Sequence, residues 1–79
     1  MFQIIYKFEN TTDTGGIVNC EHNYQTTAAD VANAMADIAT IATAPTFNGW
    51  VGVRMPGGTV TGATDQTSMV SAIKTVPVL

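Results

Sequence analysis

The chain has 79 residues, a net charge of −3, one cysteine, and charged residues at only 11%, against roughly a quarter in average soluble domains. Those figures allow one domain, residues 1–79, exclude an intramolecular disulfide, and argue against a nucleic-acid partner. Phosphate binding draws its affinity from clustered Lys and Arg, and the basic residues here are Lys7, Arg54 and Lys74. No apolar run approaches the ~20 residues that span a bilayer, and the start lacks the basic and apolar segments of a signal peptide. The expectation is a soluble chain made and kept in a reducing compartment, where a free Cys20 persists.

Phe2, Ile4, Tyr6 and Phe8 alternate with Gln3, Ile5, Lys7 and Glu9, the period-2 pattern of a strand with one buried face. Asn10 to Gly16 is rich in turn-forming residues. A second alternation puts Val18, Cys20, His22 and Tyr24 on one face and Asn19, Glu21, Asn23 and Gln25 on the other, so the two strands should form an antiparallel hairpin.

Thr27-Ala28-Ala29-Asp30 resembles a capping box with Asp in place of Glu and predicts a helix from about Ala28 to Thr43. Val31, Met35, Ile38 and Ala42, with Ala34 and Ile41 beside them, form its expected core face, and Asp30, Asn33, Asp37 and Thr40 its solvated one. Pro45 should stop it near Thr43 or Ala44. Trp50 to Met55 reads as a third strand, with Val51, Val53 and Met55 towards the core and Trp50, Gly52 and Arg54 away. Pro56-Gly57-Gly58 turns the chain into a short fourth strand at Thr59, Val60 and Thr61, closed by Gly62. Met69, Val70, Ile73 and Val76 fit a short helix after an Asp65 cap, while the run from Met69 to Val76 also fits a fifth strand, with the balance towards helix. The fold expected is α+β, a small mostly antiparallel sheet in the order β-β-α-β-β plus a short C-terminal helix or strand, with one main helix packed on one face.

Candidate chemistry is sparse. Cys20 and His22 are two apart on a strand and project to one face, but a structural zinc site takes four ligands and the chain has no second Cys or His. A Cys20 nucleophile would lack a third group to orient its base. Both residues therefore read as packing groups, half-buried beneath the helix. Asp30 and Asp37, seven apart, are separated by about 10 Å along a helix axis, too far to share a cation. Gly15-Gly16 and Gly57-Gly58 lack the strand-to-helix setting and lysine of a phosphate loop. No catalytic residue, metal ligand or cofactor is expected.

Trp50 and Arg54 would share the outer sheet face, either as a stacked, partner-facing pair with Pro77, Val78 and Leu79 as a second contact, or packed against the terminal segment. A short chain with a weakly charged surface and no disulfide gains stability from neighbours. The expectation is thus a non-enzymatic structural or assembly protein, homo-oligomeric or bound to a larger particle, such as a phage capsid cement or decoration protein in a virion. The alternative is a small cytoplasmic binding or regulatory module that offers an open face or an edge strand to its target.

Overall fold

Gln3–Thr11 forms β1 and Ile17–Gln25 forms β2, paired antiparallel in one unbroken register from Gln3 opposite Gln25 to Thr11 opposite Ile17. The computed structural model describes residues 2–77. The turn between the strands is closed by the Thr12 N–H donating to the Gly16 carbonyl at 2.7 Å, and by the Gly16 N–H donating to Thr12 Oγ1 at 2.9 Å. Val31–Ala42 forms α1, Phe47–Arg54 forms β3, Val60–Gly62 forms β4 and Gln66–Ile73 forms α2. The sheet order is β2-β1-β3-β4, every neighbouring pair antiparallel. The α+β expectation therefore holds, and the last element is a helix.

The core lies on one face of the sheet. Phe2, Ile4, Trp50 and Val53 meet Ala34, Ile38 and Ile41 of α1 and Met69, Ala72 and Ile73 of α2, joined by Ala63 and Val76. The small residues Ala34 and Ala72 sit fully inside it, which lets two helices share a narrow sheet. The main contacts of α1 are with α2 and β3, so the helical layer lies towards the β3 side.

The helix departs from expectation at its start and on its face. Asp30 itself is the N-cap, in extended geometry at φ −150°, and accepts the Asn33 N–H at 2.8 Å. An N-cap side chain reaches the N–H two or three residues on, and Asp30 meets that condition for a helix beginning at Val31. Met35, expected in the core, is 42% exposed. Ala34, Ile38 and Ile41 define the buried line, and Met35 lies one residue, roughly 100° of helical turn, from its edge. The expected Asp30–Asp37 face is also not simply solvated, because Asp37 is half-buried and accepts the Thr26 hydroxyl at 2.8 Å.

The third strand holds the largest correction. Ile4 faces Val53 and Ile5 faces Gly52, but Tyr6 faces Trp50, and Phe8 faces Phe47. Each shift leaves an extra residue on β3, first Val51 and then one of Asn48 and Gly49. These are β-bulges, which break the period of two and re-aim the side chains that follow. Gly49, at φ +124°, occupies backbone space that other residues rarely enter. As a result Trp50 and Val53 share the helix-covered face, and Trp50 is 7% exposed. Arg54, opposite Gln3, lies on the other face.

Candidate protein-contact surface

The hairpin of β1 and β2 extends past the helical layer. The molecule measures 45 × 23 × 20 Å with a radius of gyration of 13.0 Å, larger than the ~12 Å of a compact chain this long. Ile17 is 69% exposed and Val18 44%, both near the tip of this arm. On the helix side of the sheet, β1, β2 and β3 together carry a row of aromatic rings. Tyr6 is the centre, with His22 edge-on at 5.6 Å, Phe47 at 6.2 Å, Phe8 at 6.3 Å and Trp50 at 6.5 Å. Phe47 and Trp50 are closest, at 4.6 Å, within the range where tilted pairs attract.

The row grades from core to surface. Trp50 is buried, Tyr6, Phe8 and Phe47 are half-buried, and His22 is exposed. Cys20, half-buried, stands opposite Phe8 in the register and His22 opposite Tyr6. The pair is therefore placed on one strand face as expected, but His22 is at the surface of the arm and not beneath a helix. Among the described residues no group of three His, Cys, Asp or Glu is arranged to hold a metal ion.

The opposite face is polar. Lys7 stands across from Glu21, Glu9 from Asn19, and Gln3 from Gln25. Gln3 Nε2 donates to Gln25 Oε1 at 3.2 Å, and Asn48 Nδ2 reaches across to Asn19 Oδ1 at 2.7 Å. Ile5 is the buried member of this face, at 3% exposure.

The five residues expected to bind a partner are not one surface. Trp50 is a core residue, and the bulge at Val51 is the reason. Arg54 is half-buried on the other face, its Nη1 donating to the Gly58 carbonyl at 3.2 Å across the β3–β4 turn. Pro77 is exposed after Val76, which belongs to the core. Val78 and Leu79 lie outside the described residues. What sequence reasoning missed is the tip, Ile17 and Val18, and the aromatic row built on Tyr6 and Phe47. The alternation of β1 and β2 carried the signal for the tip, because its two faces continue beyond any length that the twelve-residue α1 could cover.

A shallow depression of about 460 Å³ lies on α2, lined by Gln66, Thr67, Val70, Ser71 and Lys74. All five belong to one helix or its cap, so it is the outer surface of α2 and not an enclosed site. No helix among the described residues is long and apolar enough to cross a membrane. Comparison with protein-family models, with curated proteins and with solved structures finds no match.

Proposed function

We propose that this chain is a non-enzymatic assembly protein that works by contact with other proteins, and that its concrete form is a small virion component such as a capsid cement or decoration protein. The observation that carries the reading is the arm, with exposed Ile17 and Val18 at its tip and half-buried Tyr6 and Phe8 along its helix-side face, beside half-buried Phe47 of β3. An apolar surface of this kind on so small a molecule gains roughly 25 cal/mol for each Å² of apolar area a partner covers. Low charge adds to this, because 11% charged residues leave little ionic desolvation to oppose close contact.

A second reading is favoured by one feature. β2 is a nine-residue strand at the edge of the sheet, the element by which small binding and regulatory modules add a target strand. The two readings differ in what the isolated protein does. An assembly subunit associates with itself or with a particle lattice, whereas a module stays single until its target strand arrives.

The test is sedimentation of the wild type and of an Ile17→Thr, Val18→Thr double variant across a range of salt. The expected result is association that persists at high salt, since contact-driven binding is insensitive to screening, and that weakens in the folded double variant. Association that collapses with salt, or that ignores the loss of both side chains, overturns this account of the surface.

A further inference from the structure

The backbone of β2 specifies how a second copy would meet it. At one end of the β1–β2 ladder the Thr26 N–H donates to the Phe2 carbonyl at 3.2 Å, and at the other the Thr12 N–H donates to the Gly16 carbonyl at 2.7 Å. Both bonds belong to the same register as the strand pairs between them. Antiparallel ladders alternate hydrogen-bonded and non-hydrogen-bonded pairs, so the even-numbered residues of β2 turn their backbone groups inward to β1. The odd-numbered residues Ile17, Asn19, Glu21, Asn23 and Gln25 turn theirs outward. All five side chains are exposed, and β2 carries neither the lysine nor the proline that commonly blunts an open edge.

We propose that two copies of this chain pair antiparallel along β2 about a two-fold axis, joining their sheets, with Cys20 opposite Cys20 of the second copy. This rests on the assembly reading above and names its interface. The occupant is a second copy because in this register the edge meets itself along residues 17–23 with no like charges opposed and with exposed Ile17 and Val18 both paired, a combination that the neighbouring registers lose or shorten. A two-fold antiparallel pair keeps each face on one side only when residues of like parity oppose, which leaves a short list of registers.

Full overlap of residues 17–25 sets Glu21 against Glu21, two like charges directly opposed. Shifted so that His22 opposes His22, the strands leave exposed Ile17 and Val18 unpaired. Shifted so that Asn19 opposes Asn19, only residues 17–21 are engaged. With Cys20 at the axis, residues 17–23 pair. Ile17 then opposes Asn23, Val18 opposes His22, and Asn19 opposes Glu21, with no like charges facing. The outward groups of Ile17, Asn19, Glu21 and Asn23 supply the ladder. The Tyr6, Phe8 and His22 surfaces of both copies become one continuous aromatic face.

Cys20 gives the register a direct readout. It would occupy a non-hydrogen-bonded pair, with Cα atoms about 4.5 Å apart, inside the span of roughly 4.4 to 6.8 Å that a disulfide bridges. The experiment is sedimentation equilibrium of the wild type, of Cys20→Ser and of Glu21→Pro, together with treatment by diamide, which takes up the two protons and two electrons released when two thiols form a disulfide. The expected result is a dimer for wild type and Cys20→Ser, and rapid disulfide linkage of the wild type by diamide.

Glu21→Pro should remain folded, because its missing N–H faces outward where edge prolines are tolerated, and should dimerise roughly tenfold or more weakly. Unchanged amide spectra of β1 in that variant confirm that the inner ladder is intact. A monomeric wild type overturns the proposal. Association that survives Glu21→Pro and gives no diamide linkage overturns the β2 interface while leaving the assembly reading in place, whereas loss of association in the Ile17→Thr, Val18→Thr variant alone sets the contact at the arm's tip and also overturns it.

Discussion

Thr26 Oγ1 donates to Asp37 Oδ2 at 2.8 Å, and the same oxygen accepts the Ala28 N–H at 3.0 Å. Thr26 is 1% exposed and, among the described residues, is the buried polar one. One hydroxyl thus ends β2, shapes the link to α1 and anchors the middle of that helix. Replacing Thr26 by Val keeps the shape but leaves the Ala28 N–H without its acceptor and Asp37 without its donor. Such losses cost about 1–3 kcal/mol for buried groups. The urea midpoint of Thr26→Val should fall accordingly, and an unchanged midpoint would show that the bond contributes nothing.

Ile38 and Met35 make a matched test of which face of α1 is buried. Ile38 is 0% exposed, so Ile38→Ala should cost about 2–5 kcal/mol, as large-to-small core substitutions do. Met35 is partly in solvent, and Met35→Ala should stay within about 1 kcal/mol, near the behaviour of surface sites. Thermal denaturation of both variants decides the matter, and equal losses would mean that the helix is rotated from the face described.

The hairpin, α1 and the antiparallel character of the sheet were legible because each rests on local rules of alternation, capping and turn chemistry, while the strand order was not, and Asp65 as a cap only tilted the last segment towards helix. Trp50 was not. Counting by twos from Val53 places it on the outer face, and only the bulge at Val51, a consequence of how β3 meets β1, returns it to the core. Met35 was misread for a related reason. The alanines on both sides of α1 make its apolar stripe broad, and packing on α2 through small residues chose its centre. The composition carried low charge and abundant neutral residues, but not the place of the exposed apolar tip at Ile17 and Val18. That depends on where the helices stop covering the hairpin, which is a tertiary fact.

Gly52 and Trp50 report on the bulge from its two sides. A Cβ on Gly52 would be driven into the Thr61 carbonyl of β4, which cannot yield without breaking the β3–β4 ladder at Gly52 opposite Gly62. Gly52→Ala should therefore cost about 1–3 kcal/mol, in line with overpacked sites, and lower the exchange protection of β4 first. Trp50→Ala should cost about 3–5 kcal/mol and be felt throughout the core. If Trp50→Ala left stability unchanged, the indole would be a surface group and the bulge would be wrong.

Asp65 links stability to pH through α2. Its carboxylate accepts the Ser68 N–H at 2.7 Å and the Ser68 hydroxyl at 2.8 Å, while the Asp65 N–H donates back to Ser68 Oγ at 3.3 Å. The backbone bond is the larger cause, and the hydroxyl the second, of a pKa held below the ordinary aspartate value. Both bonds favour the charged form, which also suits the positive end of the helix dipole. Because the folded value is depressed, the stabilisation is present above the unfolded chain's value and is lost as pH falls through the folded one. Acid should thus release the first turn of α2, seen as movement of the Ser68 amide resonance that tracks the titration of the Asp65 carboxyl carbon. In Asp65→Asn, which still accepts from the backbone but does not ionise, the Ser68 resonance should be flat over the same range. A carboxyl that titrates at or above the unfolded value, or an Asn variant with the same acid response, would remove Asp65 as the source of the dependence.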